Sequence, residues 1–579
     1  MRNALVIVFA IGCSGASGTT NSGASPDGGN AIAPADAGTT ADGSGCIPPP
    51  PDASSPSAPI DYIGNEYDFG GSSSPITGQQ PTIDELANSI IAETGSAEAD
   101  IVSMRSALPN NPLAVDACIP DQLTTYPGPT GITPSDQYTV TVEQGGAPQS
   151  SFVYKVLARK LDTNLETDTS WTSLSFKGDI TLHVTKLGGA PTDCIVRPYS
   201  AAIQTTFDAA SETCTFTVHQ PGNFSVEFAP EIHNPISHPM LVFANPPEVD
   251  VPAPNDPNVV YFGPGVHDPG LGQPINSNTT IYLAGGAWVN GAFLASGAVQ
   301  NVVIRGRGVI SGLFYDTGAQ ATNVPLPGLI DIPNMSSQNV LVEGITLVDA
   351  PRFNIQALAQ DTTIHGVKEI AWWYNTDGIV GGNKTIIEDS FVKVNDDTLK
   401  LHWGDTIARR NVLWQLDNGG TFNLGWNIEQ DVHDFHVYDN DVIHTEFDSI
   451  EAVAVFRSRQ AGAGDLHRYL FEDIRVEDAP WRLFYLVLEN NKWYDPTLGY
   501  GTIEQAIFRN IHDYQAQHQR PNVIQGIDGD HMVKNVSIQN LYTDGVCVGS
   551  SVGGDFSIDS TSTNAIRLMR SADGSCHTP

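Results

Sequence analysis

The sequence predicts an all-β protein in which an antiparallel β-sandwich precedes a right-handed parallel β-helix. Short alternating strands occupy residues 136–230, and turn-rich segments separate them, as in a sandwich. From about residue 240 an apolar β segment, an Asn/Asp/Gly turn and a second apolar segment recur, the best-aligned neighbours 21 to 30 residues apart. Repeats of this size without intervening helix predict stacked coils of parallel strands. A β-propeller is the alternative, but its blades need ~40 to 50 residues each.

Residues 1–13 resemble an export signal. Arg2 precedes the apolar stretch Ala4–Ile11, which is too short to span a bilayer. The segment ends in Ala-Ile-Gly-Cys13, which resembles the lipidation box of a bacterial lipoprotein, so Cys13 is the expected lipidation site. An ordinary signal peptide cut near Ser14–Ser17 is the alternative. We therefore expect an exported protein, either a cell-surface or outer-membrane lipoprotein or a secreted one.

Four further segments follow the signal. Residues 14–60 consist mainly of small and polar residues with proline, cannot bury a core, and are expected to form a disordered tether. Residues 61–125 form an N-terminal extension with a helical pattern at 83–106, to which the sequence assigns no role. The sandwich is expected at 126–238 and the β-helix at 239–579.

The charge balance restricts the partners. Acidic residues outnumber basic ones 65 to 28, and the formal net charge is −37. Such a chain repels nucleic acid and anionic membranes, and no cluster of Lys and Arg offers a local exception. We expect no nucleic-acid partner, membrane contact only through an N-terminal lipid, and a monomer. A neutral, hydroxyl-rich polysaccharide fits this charge better than a polyanionic one.

The cysteines indicate disulfides rather than a metal site. Apart from Cys13 there are six, an even number that in an exported chain predicts disulfide pairing. None has a metal-ligand spacing such as C-x-x-C, so neither a structural zinc nor any other cofactor is expected. The six are Cys46, Cys118, Cys194, Cys214, Cys547 and Cys576.

Two acidic motifs are the candidate catalytic residues. Asp377 lies in an Asn-Thr-Asp-Gly motif, and Asp396 and Asp397 follow 19 and 20 residues later, close to one coil. Coils stacked ~4.8 Å apart would place the three carboxylates on one surface. Clustering raises at least one carboxyl pKa, and glycoside hydrolysis needs one protonated and one ionised carboxyl. The alternative is that these residues only form turns, as Asn and Asp often do.

The paired aspartates raise a geometric difficulty. Neighbouring residues of a regular strand point to opposite faces, so Asp396 and Asp397 can share a cleft only if the chain bends or bulges there.

Aromatic and polar residues near these motifs are candidates for sugar binding, because flat apolar rings suit the C–H faces of sugars. Trp426 is the expected sugar platform, although about half of the nearby tryptophans should belong to the core. A structural, hydrogen-bonded histidine is the alternative for His402. The predicted substrate-binding residues are Asn375, Lys400, His402, Trp403 and Trp426.

Several stretches carry a family resemblance. Asp256–Gly265, Ile281–Phe293 and Ile304–Gly312 resemble glycoside hydrolase family 49, which contains dextranases and isopullulanases, and Trp171–Phe176 and Pro221–Phe228 resemble its N-terminal β-sandwich. The resemblance covers roughly residues 130–545. Polygalacturonase-type β-helix hydrolases are more distantly similar, but their Gly-His-Gly and Arg-Ile-Lys motifs are absent from this sequence.

The resemblance implies an exported enzyme that cleaves internal α-1,6 bonds of dextran-like α-glucans with inversion. Asp396 would be the general acid, while Asp377 and Asp397 would position and deprotonate water. Inversion normally needs the acid and base ~6.5–9.5 Å apart, which leaves room for that water. A hydrolase of another neutral glycan, isopullulanase-like, and a non-catalytic carbohydrate-binding β-helix are the alternatives. The three aspartates favour an enzyme, since binding alone does not need them.

The cysteine spacing leads to a covalent prediction. We expect the pairs Cys46–Cys118, Cys194–Cys214 and Cys547–Cys576, because neighbours along the chain close loops that do not cross between domains. Peptide mapping without reduction should recover these three pairs. Cys118 joined to Cys547, or free thiols at these positions, would contradict the assignment.

Overall fold

The computed structural model describes residues 66–68, 81–108, 119–159, 166–234, 236–314, 328–446, 451–549 and 553–570. The predicted signal and tether, and with them Cys13, lie outside the described residues, as do Cys46, Cys118 and Cys576. Within the described ranges the predicted fold class is confirmed, with an antiparallel β-sandwich followed by a parallel β-helix.

The sandwich forms because apolar residues alternate along its strands. In Tyr138–Gln144, for example, Tyr138, Val140 and Val142 are buried while Thr139 is exposed. One sheet has the order Ala147–Ser151, Tyr138–Gln144, Ile180–Lys186, Thr213–Val218, Thr205–Asp208. The other has the order Gln122–Thr125, Glu166–Lys177, Met240–Asn245, Gly222–Phe228, Cys194–Arg197, with Val153–Arg159 also paired to Glu166–Lys177. The 3-10 helix Tyr199–Ala201 follows the strand Cys194–Arg197 along the chain.

A disulfide joins the two sheets of the sandwich. Cys194 and Cys214 are bonded, as the sequence predicts. Cys547 is also disulfide-bonded, and its predicted partner lies outside the described residues. The strand Met240–Asn245 pairs in parallel with Glu166–Lys177, so the sandwich extends past residue 238, where the sequence analysis ended it.

In the described residues, successive coils of the β-helix contribute strands to three parallel sheets, although not every coil has a separate strand in each sheet. Sheet 1 contains Val259–Phe262, Thr280–Leu283, Gln300–Gly306, Gln338–Glu343, Gln360–His365, Thr385–Glu388, Thr406–Arg409, Val432–Tyr438, Leu466–Val476, Ile503–Asp513, Val533–Thr543 and Thr563–Met569. Sheet 2 contains Gly265–Pro274, Ala287–Leu294, Val309–Ser311, Thr346–Val348, Lys368–Ile370, Phe391–Val394, Val412–Gln415 and Asp441–Thr445. Sheet 3 contains Ile330–Ile332, Ile355–Ala357, Ile379–Gly381, Leu399–Lys400, Phe422–Gly425, Phe456–Gln460, Phe484–Leu488, Asn522–Gln525 and Phe556–Ile558. Val546–Cys547 pairs antiparallel with Val533–Thr543.

Like residues stack on like residues inside the coils, which is what holds the β-helix together. Phe422, Phe456 and Phe484 occupy equivalent positions of sheet 3, and their ring centroids lie 5.4 and 5.0 Å apart. Burying such columns is the main favourable term for a solenoid, in which each coil contacts only its neighbours.

The sandwich packs on the outer face of sheet 2. Trp171 and Phe243 of the sandwich share an apolar cluster with Phe391 and Trp414 of sheet 2. Beside this cluster, buried charges cross the interface. Arg197 lies 2.7 Å from Glu477, and Nε2 of His444 lies 2.7 Å from Glu227. Because separating paired buried charges leaves each uncompensated, this network fixes the sandwich in one position.

The N-terminal extension has a structural role that the sequence did not reveal. The helix Ile83–Ser106 begins with a capping box in which Thr82 and Glu85 bond each other's backbone. It lies across the outer face of sheet 1, where Ile90 packs on Leu470 and Ile507. The strand Glu66–Asp68 pairs antiparallel with Thr563–Met569 in the last described coil. Among the described residues, no helix combines the length and apolar character needed to cross a membrane.

Contact of this helix with sheet 1 should stabilise the β-helix. Ile90 is fully buried, whereas its neighbour Ile91 is 38% exposed. We expect Ile90→Ala to lower the free energy of unfolding by about 2–5 kcal/mol, because it removes packed methylene groups and leaves a cavity. Ile91→Ala is the matched control and should change it by about 0.5 kcal/mol or less. Equal urea midpoints for the two variants would show that the helix does not pack on sheet 1.

Candidate active site

The predicted acidic residues lie where successive coils turn from sheet 2 into sheet 3. The corner loops are residues 371–378, 395–398 and 416–421. Asp377 lies in the first loop, and Asp396 and Asp397 lie in the second. The backbone N–H of Gly378 donates to the carbonyl of Asp397 at 2.9 Å, which stacks the first loop directly on the second. The spacing of about one coil therefore brings the motifs together as predicted.

A bend solves the problem of two adjacent aspartates facing one side. The strand Phe391–Val394 ends before Asn395, and the next strand begins at Leu399. Because Asp396 and Asp397 lie in the intervening turn, their side chains do not have to point to opposite faces as neighbours in a strand do. One carboxylate oxygen from each of Asp377, Asp396 and Asp397 lies within 4.8 Å of those from the other two. This close trio is the centre of the candidate site.

Asp396 is half-buried and accepts hydrogen bonds from three donors. Its Oδ2 accepts from the backbone N–H of Asn375 at 3.2 Å and from Nδ2 of Asn418 at 2.8 Å. Its Oδ1 accepts from the backbone N–H of Asp397 at 3.0 Å. These bonds fix the direction of the carboxyl group, and Oδ1, with one partner, retains room for a proton.

Asp397 is buried and surrounded by positive charge. Its Oδ1 accepts from Nη1 of Arg457 at 2.8 Å and from the backbone N–H of Gly420 at 3.1 Å. Nζ of Lys400 lies 3.6 Å from its Oδ2 and also forms an ion pair with Oδ2 of Asp377. Lys400 thus bridges the two buried carboxylates.

These surroundings separate the pKa values of the three acids. Removal from bulk water and repulsion by Asp377 and Asp397 raise the pKa of Asp396 well above its ordinary value. Burial also raises the pKa of Asp377, against the attraction of Lys400. Burial opposes ionisation of Asp397 too, but Lys400 and Arg457 outweigh it and hold its pKa below the ordinary value. With Asp396 protonated, two carboxylates face two cations and the cluster is electroneutral.

The separation of the carboxylates differs from the expectation. One oxygen from each carboxylate lies within 4.8 Å of those from the other two, which is closer than the ~6.5–9.5 Å expected between the carboxyl groups of an inverting acid and base. The cause is the stacking itself, since adjacent coils are ~4.8 Å apart and the bend turns Asp396 toward both neighbours. Oxygens this close could also hold a metal ion, but Lys400 and Arg457 already neutralise two of the three acids.

The other predicted substrate-binding residues differ in how they contact the site. His402 lies 3.3 Å from Oδ1 of Asn423 through Nε2, and burial together with Lys400 lowers its pKa to about 4, so it is neutral. Asn375 is exposed and reaches Asp396 through its backbone rather than its side chain. Trp403 is half-buried, and its carbonyl accepts from the hydroxyl of Thr406. Trp414 is fully buried in the core, whereas Trp372, Trp373, Trp403 and Trp426 are half-buried, so fewer of the nearby tryptophans are buried than the expected half.

Trp426 lies beside the acidic cluster and is half-buried. The guanidinium carbons of Arg457 and Arg459 lie 5.0 and 5.1 Å from the centre of its ring. Arg457 in turn bonds Asp397, and Arg459 forms an ion pair with Glu489. Two anchored arginines therefore hold a flat ring next to the carboxylates, an arrangement that suits stacking of a sugar.

Comparison with curated proteins yields relatives named isopullulanase and dextranase. No family model matches the chain. Isopullulanase from Aspergillus niger is 28% identical over 328 residues, which are 48% of this chain and 58% of that protein. A dextranase from an Arthrobacter species is 26% identical over 208 residues, which are 32% of each chain. The resemblance to glycoside hydrolase family 49 is confirmed.

A solved structure agrees with the family 49 resemblance at the level of fold. Dex49A from Penicillium minioluteum aligns with a TM-score of 0.60 at 17% identity, covering 77% of this chain and 96% of its own. The curated relatives are matched over less of their length, since the chain spans 58% of the isopullulanase and 32% of the dextranase.

Sequence reasoning missed the residues that hold the aspartates in place. Arg457 is 60 residues from Asp397, and no local motif links the two. Asn418 lies in the third corner loop, where the dipeptide Gly419-Gly420 was the available signal. A Cβ atom on Gly419, whose φ is +91°, would lie 2.4 Å from the backbone of Asp396 and Asp397. Glycine is needed there because the loop passes directly over the paired aspartates.

The ion pair between Arg457 and Asp397 leads to a prediction about the pH dependence of activity. Arg457→Gln removes a charge that lowers the pKa of Asp397, so this pKa should rise and the acidic limb of dextran hydrolysis, the activity that the resemblance implies, should move to higher pH. Arg459→Gln is the matched control, because Arg459 contacts the same tryptophan ring but pairs with Glu489. Its acidic limb should stay in place, and equal limbs in both variants would contradict this role of Arg457.

Proposed function

We propose that the protein is an exported glycoside hydrolase that cleaves internal α-1,6-glucosidic bonds of dextran-like α-glucans with inversion. The observation that carries this proposal is the close trio Asp377, Asp396 and Asp397, whose surroundings raise the pKa of Asp377, raise that of Asp396 well above its ordinary value and lower that of Asp397. Groups held in opposite protonation states are what acid–base hydrolysis of a glycoside needs. Relatives named dextranase and isopullulanase support an α-glucan as the substrate.

In the proposed mechanism Asp396 is the general acid. Its raised pKa keeps a proton available for the oxygen of the departing sugar, and its hydrogen bonds hold the carboxyl in one direction. Asp397 and Asp377 hold a water molecule and accept its proton as it attacks the anomeric carbon. Trp426 stacks on a neighbouring sugar ring, while the charge of Lys400 favours the ionised form of both water-binding carboxylates.

The short separation of the carboxylates has to be reconciled with inversion. A distance near ~5 Å is also the geometry of a covalent nucleophile. Asp377 and Asp397, however, share the Nζ of Lys400, and Arg457 bonds Asp397 as well. Carboxylates neutralised in this way are poor nucleophiles but good hydrogen-bond acceptors. This favours their action on a water molecule rather than directly on the sugar.

The net charge supports a neutral substrate. A chain with a formal net charge of −37 repels pectate and other polyanions over distances of about one Debye length, ~8 Å at physiological salt. The export that this function requires rests on residues 1–13, and the lipid anchor proposed for Cys13 would hold the enzyme at the cell surface.

An isopullulanase-like activity is the second candidate. The isopullulanase is 28% identical to this chain over the matched region, against 26% for the Arthrobacter dextranase and 23% for a dextranase from Talaromyces minioluteus, although the last matches 56% of this chain against 48%. Both candidates use the same carboxylates and differ in which linkage the sugar subsites accept.

Substrate preference separates these candidates. We expect dextran to release isomalto-oligosaccharides, because the proposed cleavage is internal and at α-1,6 bonds. Reducing-sugar release should be measured on dextran, pullulan, starch and polygalacturonate under the same conditions. Activity on pullulan alone would transfer the assignment to an isopullulanase-like enzyme. Activity on polygalacturonate alone would overturn the proposal of a neutral glucan.

Replacing the general acid should slow only the reactions that need its proton. Asp396→Asn keeps the shape of the side chain, so we expect sugar binding to persist while dextran turnover falls by about 100-fold or more. An α-glucosyl fluoride of the matching oligosaccharide is the control substrate, since fluoride leaves without protonation. Its hydrolysis should fall far less. Equal losses on dextran and on the fluoride would contradict the acid role of Asp396.

A further inference from the structure

A second concave site lies away from the carboxylates. A cleft of about 930 Å³ separates the sandwich from the turns that join sheet 1 to sheet 2. Its sandwich wall comes from residues 198–206 and 215–224, and its β-helix wall includes Glu343, His365, Asp389 and Arg410. The aspartate trio lies at the other edge of sheet 2, where sheet 3 begins. The two sites therefore flank the sandwich on opposite sides of its contact with sheet 2.

The charged side chains along the cleft have partners in its own walls, the carboxylates with cations and the cations Arg307 and Lys368 with neutral acceptors. Arg410 bonds both oxygens of Asp389 at 2.8 Å. His365 lies 3.2 Å from Glu343 and 3.5 Å from Asp389. The Nη2 of Arg307 donates to the carbonyl of Pro246 at 3.0 Å. A ligand ion would have to displace one of these partners, so the cleft is better suited to an uncharged ligand.

Neutral hydrogen-bonding groups cover much of the sandwich wall. The side chains of Gln204, Thr206 and Gln220 are exposed there, and Thr215 and Thr217 are half-buried. Amides and hydroxyls both donate and accept, as sugar hydroxyls do. A volume near the upper end of the ~300–1,000 Å³ range of ligand pockets provides room for several sugar units.

The cleft is also preformed. The pairs Arg197–Glu477 and His444–Glu227 tie the sandwich to the β-helix. Asn223, in the cleft wall, donates to the carbonyl of Asp389 at 3.0 Å across the same boundary. Walls held in this way lose little conformational entropy when a ligand binds.

From these observations we propose that the cleft is a non-catalytic binding site for a neutral oligosaccharide segment of the substrate. The proposal rests on the proposed function for the identity of the sugar. A chain held here while another segment occupies the carboxylate site raises the effective concentration of polymer at the enzyme. The benefit applies to long glucans and is absent for short ones.

The test counts binding sites for isomaltohexaose by titration calorimetry on the full chain carrying Asp396→Asn, which stops turnover. We expect two sites per chain. Adding Thr206→Trp, which fills the cleft, should leave one site, whereas Thr139→Trp, an exposed threonine of the same sheet outside the cleft, should leave two. The double variant Gln204→Ala/Gln220→Ala should weaken the second site about tenfold without adding bulk.

One site in every variant, or two sites in the Thr206→Trp variant, would overturn the proposal. Failure of the proposed function would show differently, as absence of dextran hydrolysis by the unsubstituted chain. With Asp396 intact, Thr206→Trp should leave the kcat for isomaltohexaose unchanged and raise the KM for polymeric dextran. An unchanged KM for the polymer would also count against a substrate-binding cleft.

Discussion

Backbone hydrogen bonds between successive coils are the interaction on which the candidate site depends. The bond from Gly378 to the carbonyl of Asp397 fixes the register of two corner loops, and the bond from Thr398 to the carbonyl of Gly420 adds the third. A slip of one residue would turn every side chain of the strand to the opposite face, so the buried columns of each coil enforce this register. The solenoid thus places groups from distant parts of the sequence within a few ångströms of one another.

The electrostatics follow from that placement. Three carboxylates on stacked loops repel one another, and Lys400 and Arg457 compensate two of them. The third, Asp396, has hydrogen-bond donors around it but no cation within ion-pairing distance in the described residues, so its proton is the least costly means of neutralising the cluster. The division of roles among chemically identical side chains is therefore a property of their surroundings.

Much of this arrangement could be predicted from local patterns. The period of the β segments predicted the β-helix, and the spacing from Asp377 to Asp397 predicted their stacking, because both depend on coil length. The contact of Arg457 with Asp397 was not predictable, since Arg457 belongs to another coil, 60 residues further along the chain. The role of the helix Ile83–Ser106 was hidden because its partners Leu470 and Ile507 lie on distant coils. The close approach of the carboxylate oxygens was not predictable, because it depends on a bend whose direction a strand pattern does not specify.

The central claim is that Asp396 is a protonated acid and that Asp377 and Asp397 hold the attacking water. The stereochemistry of the first product tests this claim most directly. Proton NMR during the first minutes of dextran hydrolysis distinguishes the anomers before they interconvert. Water delivered from the face opposite Asp396 inverts the anomeric carbon, so an α-linked glucan should first release the β-anomer. Initial release of the α-anomer would mean that one of the two ionised aspartates attacks the sugar itself, and would contradict this account.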